Sequence, residues 1–244
     1  MKLWGKKESN VFDYGLLGTD MHSHLIPGID DGPPDLATSV QLIKGLTQLG
    51  FTKLITTPHV LWDMYQNTRV KILEEYDSLK EHLEAQGINV EIKAAAEYFL
   101  DENVKMLLAK KEPLLTIHDN LVLVEFSLAS EPFDLKEILF EMQMQGYQPV
   151  IAHPERYLYH ERNKEFFEDL KISGFYFQLN IMSLAGTYGK AVNELARYFI
   201  KHQYYELAGT DLHNQHHLTH LQSHSIVHSL HELLDSGKLL NPDL

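Results

Sequence analysis

The sequence holds two histidines one residue apart, His22-Ser23-His24, and an aspartate-glycine pair, Asp31-Gly32, seven residues further on. If the apolar run 15–21 before them is extended, both imidazoles leave its end on the same side and can grip one cation. One such pair is weak evidence. Its weight comes from later apolar runs that end in the same kinds of group: Ile55-Thr56-Thr57-Pro58-His59, Ala94-Ala95-Ala96-Glu97, Leu121-Val122-Leu123-Val124-Glu125, Val150-Ile151-Ala152-His153 and Leu207-Ala208-Gly209-Thr210-Asp211-Leu212-His213. Imidazoles and carboxylates suit zinc, manganese or iron, and a carboxylate can bridge two ions. Eight or nine such groups exceed the needs of one ion. The pattern therefore predicts two or three metals that activate water against an electrophile and neutralise the oxygens around it.

Each residue also has a plainer reading. A histidine at a strand end is more often a hydrogen-bonded loop residue than a ligand. Glu97 and Glu125 resist that reading, because each follows a run so apolar that both strand faces must be buried, and an unpaired buried carboxylate is costly.

The elements that must position these groups alternate. Strands are expected at 15–21, 51–57, 88–96, 120–126, 148–153, 175–180 and 204–210. Helices are expected between them at 35–49, 67–86, 102–110, 135–145, 163–172 and 189–203, with a closing helix at 217–235. Asp35 caps the first helix and Gly50 stops it; the loop 25–34, with Pro27, Gly28, Gly32, Pro33 and Pro34, cannot be helical throughout and should lie over the site. Alternating β and α at this spacing predicts parallel strands joined by right-handed crossovers, with the chemistry at their carboxyl ends. Seven strands suggest a distorted α/β barrel, (β/α)7, over residues 15–244, preceded by a short polar arm at 1–14.

Composition narrows the function. At 244 residues and 44% hydrophobic content, one domain can bury a sizeable core. The chain has no cysteine, which removes a thiolate nucleophile, so hydrolysis must use water. Its net charge of −13 argues against nucleic acid as a partner. An anionic substrate needs a local positive centre, which bound divalent ions supply. Neither a membrane helix nor a signal peptide is expected, and the cytoplasm is the expected compartment.

In order along the chain, His22-Ser-His24, Asp30-Asp31-Gly32-Pro33, Thr57-Pro58-His59, Ala96-Glu97, Val124-Glu125-Phe126-Ser127, His153-Pro154-Glu155-Arg156-Tyr157 and Thr210-Asp211-Leu212-His213-Asn214 resemble the motifs of the PHP-domain superfamily. More narrowly they are similar to its bacterial protein-tyrosine phosphatase branch, the capsule and exopolysaccharide phosphatases. The resemblance spans about residues 15–240. It implies a TIM-like barrel with three metal ions, commonly manganese, with iron or zinc as alternatives. By the same resemblance His22, His24, Glu97 and Asp211 hold one ion, Glu97, Glu125 and His153 a second, and Asp31, His59 and His213 a third. Asp30 is the neighbour most easily mistaken for Asp31.

The implied substrate is a phosphotyrosine protein, the C-terminal tyrosine cluster of a bacterial tyrosine kinase that controls polysaccharide export. Arg156 is the implied phosphate anchor, since its guanidinium suits bidentate binding, with Asp211 and His213 completing the catalytic set. Some relatives carry a second arginine after the Asp-x-His motif. The stretch His213-Asn214-Gln215-His216-His217-Leu218 has none, leaving His216, His217 or Arg69 as substitutes, or no second anchor at all. Trp62, Met64 and Tyr65, just after His59, could wall a tyrosyl ring, with loop packing as the equal competitor. His216, His220, His224 and His228 fall at i, i+4 along the closing helix, where a solvated face is a better reading than a metal or polyphosphate stripe. Two other functions stand beside this one: a small-molecule phosphatase of the histidinol-phosphate type, and a non-catalytic regulatory subunit that binds a kinase tail and keeps metals for stability.

Overall fold

The first helix shows how local chemistry sets the element boundaries. In the computed structural model, which describes residues 11–244, helix α1 spans Leu36–Leu49, and the Asp35 side chain accepts from Thr38 N at 2.8 Å. Gly50 ends it in the left-handed region at φ 116°, where a side chain would be strained. The remaining helices are α2 (Arg69–Ala85), α3 (Glu102–Ala109), α4 (Leu135–Met144), α5 (Lys164–Ile172), α6 (Lys190–Lys201), α7 (Gln215–Leu221) and α8 (His224–Asp235). No helix among the described residues is long and apolar enough to cross a membrane.

The strands are β1 (Thr19–Ser23), β2 (Lys53–Thr56), β3 (His59–Val60), β4 (Glu91–Ala94), β5 (Glu97–Phe99), β6 (Leu121–Glu125), β7 (Gln148–Ala152), β8 (Tyr176–Asn180) and β9 (Tyr205–Gly209). All pairings between them are parallel, in the orders β1-β2-β4 and β3-β5-β6-β7-β8-β9. The expected strands at 51–57 and 88–96 contain β2 and β4, and each is followed, beyond its expected end, by a second short strand, β3 and β5. Pro58 lacks an N–H and interrupts one ladder, and the paired strand breaks beside it at Ala95-Ala96. Backbone bonds from Ala95 N to Thr56 O (2.8 Å) and from Glu97 N to Pro58 O (3.1 Å) carry the pairing across the gap. At the other seam Asp211 N donates to His22 O at 2.7 Å and His24 N to Leu212 O at 2.9 Å, so the chain leaving β9 joins the end of β1. The architecture is a distorted α/β barrel of the TIM-like kind, seven strand positions with two of them kinked.

Strand alternation divides the core. Leu121 and Leu123 of β6 join Met21, Ile55, Ala95, Val150, Ala152 and Leu207 in a small inner cluster, while Val122 and Val124 face the helices in a larger outer one. Glu125 continues the inward row and reaches the carboxyl end of the barrel.

Three further expectations need correction. The first strand begins at Thr19, because Tyr14–Leu16 forms a 3-10 turn capped by Asp13. Of the expected polar arm, residues 1–10 lie outside the described residues, but Phe12 and Tyr14 are buried, and the Tyr14 hydroxyl donates to Leu221 O at 2.7 Å. The closing helix is two helices, α7 and α8, separated at Gln222-Ser223, where Ser223 caps the second. The break interrupts the i, i+4 histidine row between His220 and His224.

Candidate metal centre

The strand ends bring five imidazoles and four carboxylates to one place. Three groups of donor atoms each fit within 4.8 Å: His22, His24, Glu97 and Asp211; His24, Asp31, His59 and His213; and His59, Glu97 and Glu125. Glu97 sits at the middle. Its Oε2 lies 3.2 Å from His22 Nε2 and 3.2 Å from His59 Nδ1, and its Oε1 lies 3.3 Å from His153 Nε2. His153 Nε2 is also 3.8 Å from Glu125 Oε2. Every residue expected as a ligand is therefore within this cluster, with Asp31 the most exposed, His59 and His213 partly buried and the other six buried.

Backbone strain helps to aim two of them. His153 (φ 36°) and Asp211 (φ 51°) both occupy the left-handed region, which costs a non-glycine residue about 1–3 kcal/mol unless its surroundings enforce it. Each sits where the chain turns out of a strand, and the turn swings the side chain back over the barrel mouth.

The far side of each ring decides which nitrogen faces the cluster. His22 Nδ1 donates to Gln178 Oε1 at 2.9 Å, His24 Nδ1 to Asp30 Oδ2 at 2.8 Å, and His213 Nδ1 to the Asp211 carbonyl at 2.8 Å. Each bond occupies Nδ1 and turns Nε2 inward as the nitrogen available to a cation, the arrangement in which an imidazole ligates. Asp30 and Asp31 divide the labour. Asp30 stands behind the rings, accepting also from His59 N at 3.1 Å and Gly32 N at 2.9 Å, while Asp31 Oδ1 stands in front, 3.3 Å from His213 Nε2 and 3.5 Å from His59 Nε2.

The donor set fits cations. Both oxygens of the fully buried Glu97 lack a hydrogen-bond partner, as does His59 Nδ1 beside them. Lone pairs facing one another this closely need positive charge between them, since burying an uncompensated carboxylate costs several kcal/mol. Burial alone would raise Glu97 and Asp211, yet the imidazoles around them, His22 foremost, hold both well below the usual carboxylate range. Burial likewise opposes a lowered Asp31, but His213 and His59 hold it at about 2. His59 shows the converse: burial and His24 disfavour its charged form, and Glu97 and Glu125 still lift it to about 9.

An open cleft of about 820 Å³ gives access to these groups. Arg156 forms part of its wall, donating from Nη1 to Asp211 Oδ2 at 3.3 Å, with its guanidinium 4.5 Å from the Tyr188 ring centroid. Asn180 Nδ2 donates to the same Asp211 oxygen at 2.8 Å, so Asp211 offers Oδ1 to the imidazoles and Oδ2 to its supports. Of the proposed substitutes for a second arginine, His217 lines the cleft, whereas Arg69 lies on a neighbouring cavity and His216 lines neither. Of the expected aromatic wall, Met64 and Tyr65 face the cleft and Trp62 does not.

Gln178, Asn180, Glu155 and Tyr188 were not singled out as functional residues from the sequence. The signal for the first two was present: Phe177-Gln178-Leu179-Asn180 is the one strand end without a ligand type, and its carboxamides instead orient His22 and Asp211.

A parallel α/β barrel with this cluster at its carboxyl ends belongs to the class of barrel proteins built around a candidate polynuclear metal centre. Residues 18–225 match the family described as capsular polysaccharide synthesis, CpsB/CapC, and the chain belongs to that family. It is 30% identical over 196 residues to the tyrosine-protein phosphatase YwqE of Bacillus subtilis (strain 168), covering 80% of this chain and 77% of the relative. It is 29% identical over 201 residues to the tyrosine-protein phosphatase CpsB of Streptococcus pneumoniae, covering 80% and 82%. A solved structure from the set of YwqE of B. subtilis and CpsB of S. pneumoniae, described as unique metal-dependent tyrosine phosphatases, aligns with a TM-score of 0.78 at 27% identity. That alignment covers 92% of this chain and 90% of the other.

Proposed function

We propose that this protein is a metal-dependent phosphoric monoester hydrolase that removes phosphate from tyrosine in a protein. Its substrate is the C-terminal tyrosine cluster of a bacterial tyrosine kinase that governs capsule or exopolysaccharide synthesis, met in the cytoplasm. The observation that carries this reading is eight imidazole and carboxylate residues gathered with Glu97 at their middle, beside a cleft-wall guanidinium.

His22, His24, Glu97 and Asp211 are the proposed ligands of one ion, Glu97, Glu125 and His153 of a second, and Asp31, His59 and His213 of a third, with manganese first and iron or zinc as alternatives. Bound there, the ions supply Lewis acidity toward phosphate oxygens and a more acidic water. The chain itself does the rest. Arg156 spends one of its N–H groups on Asp211 and keeps a fork that fits two phosphate oxygens, while the Tyr188 face fixes the plane of that fork. His213 has Nδ1 committed to a carbonyl and Nε2 turned to Asp31, which makes it a ligand and not the donor to the leaving phenolate. His217 Nδ1 accepts from His213 N at 3.3 Å, and burial and the neighbouring His213 push its pKa down. It therefore presents a neutral Nε2–H to the cleft where some relatives have a cation. Leu61, Met64 and Tyr65 offer the apolar wall for a phenyl ring.

Hydrolysis of a phosphotyrosine peptide should be lost on chelation and return with Mn2+. Its kcat/KM should exceed that for histidinol phosphate. Metal-loaded protein inert toward every aryl phosphate would remove the activity, and a preference for histidinol phosphate would overturn the substrate class.

A further inference from the structure

Outside the cleft, α7 carries a second arrangement of imidazoles. His216 and His220 are one helical turn apart, with Nε2 atoms 2.9 Å from one another and ring centroids 4.4 Å apart at 68°. Neither lines the cleft, and no carboxylate joins them in a three-residue donor group among the described residues. The His220 ring is held from behind, with Nδ1 2.6 Å from Thr187 Oγ1, which directs Nε2 toward His216. The helix beneath is fixed as well: Asn214 caps it at two amides, and Leu218 and Leu221 are buried.

The spacing can be compared with two uses of such a pair. A collinear N–H···N hydrogen bond 2.9 Å long would put the ring centroids only slightly beyond ~5 Å, so the observed contact is a bent one. Rings converging on one cation at ~2.0–2.1 Å and a right angle would place their nitrogens about 2.9 Å and their centroids about 4.5 Å apart. The observed pair, joined by a bent hydrogen bond, has the spacing of the converging arrangement as well. A right angle is the cis angle of tetragonal Cu2+ and Ni2+ sites, which also stand high in the order of divalent affinity, while tetrahedral Zn2+ would need a wider pair.

We propose that His216 and His220 form a surface chelate for a divalent transition cation of the Cu2+ or Ni2+ type, with Thr187 as its positioning residue and water completing the coordination. The site is separate from the buried centre and does not depend on the phosphatase reading. The same i, i+4 spacing recurs at His224 and His228, but among the described residues no ring contact joins those two.

Two measurements test this. Untagged protein should be retained on a Ni2+-chelate resin, whose immobilised ion cannot reach buried imidazoles. His216→Ala and His220→Ala should each lose that retention, while His228→Ala keeps it. In solution, Cu2+ titrated into wild type and into the His216→Ala/His220→Ala double variant should differ by one equivalent whose electron paramagnetic resonance shows two nitrogen couplings. Thr187→Val should weaken that equivalent roughly tenfold, the usual effect of removing an outer-sphere partner. The melting temperature and far-ultraviolet circular dichroism of the double variant should match the wild type, which establishes that it is folded. Unchanged retention in both single variants, equal loss in His228→Ala, or identical Cu2+ spectra would each overturn the proposal.

Discussion

Glu97 touches His22, His59 and His153, so its removal disturbs every donor group at once. Loss of even an outer-sphere partner commonly costs about 10–100-fold in metal affinity or activity, so Glu97→Ala and His153→Ala should exceed about 100-fold in kcat. Near-normal turnover in either would remove that residue from the centre. Gln178→Ala belongs one step out: with the His22 tautomer no longer fixed, metal content and kcat should fall together by roughly 10–100-fold. Normal metal content in that variant would show the carboxamide to be mere packing. Arg156→Lys keeps the charge and loses the fork, and its expected signature is a raised KM for aryl phosphate with metal content unchanged.

At the scale of elements, the seam between β9 and β1 is the weakest place to alter. A Cβ on Gly209 would meet His22 Cβ at 2.5 Å and His22 N at 3.1 Å, both on a packed strand that cannot retreat. Gly209→Ala should therefore destabilise by about 1–3 kcal/mol through overpacking and lower metal affinity by displacing His22, read as a reduced melting temperature with reduced metal content. A variant with wild-type values for both would show that the seam is slack. The turn after β7 relies on Glu155, whose buried carboxylate accepts from Asn180 N, the Ser183 hydroxyl and the Tyr205 hydroxyl at 3.0, 2.7 and 2.9 Å. These bonds tie the His153–Arg156 turn to β8 and β9, which is how a residue that meets no substrate sets the direction of Arg156.

For the molecule as a whole, the cluster links stability to metal and to pH. His59 is lifted from its ordinary 6.5 to about 9 when no cation competes for it. The folded state then binds more protons than the unfolded one between those values, so this group's contribution to metal-free stability is present below about 6.5 and is lost as pH rises through 9. Cations displace that proton and bind the deprotonated ring, so their stabilisation grows with pH. The rise in melting temperature on adding Mn2+ to chelator-treated protein should be larger at pH 9 than at pH 6.5. A gain that shrinks as pH rises would contradict the linkage.

The donor types at the strand ends and the barrel alternation were legible in the sequence because each is a local property: an apolar run, the residue that follows it, and a glycine or capping group beside it. Motif position selected Asp31 over Asp30; in the structure Asp30 contacts His24 Nδ1 and Asp31 contacts His213 Nε2. What local pattern could not carry was the kink at Pro58, matched by a break in a neighbouring strand some forty residues away, or the split of the last helix at Ser223. Nor could it show that Gln178, Asn180 and Tyr188 stand behind His22, Asp211 and Arg156. Those facts depend on which segments become neighbours when the ladder closes, and closure is set by packing across the whole barrel. The residue types in the chain thus determined the chemistry available, while the tertiary structure alone decided which nitrogen and which oxygen face the centre.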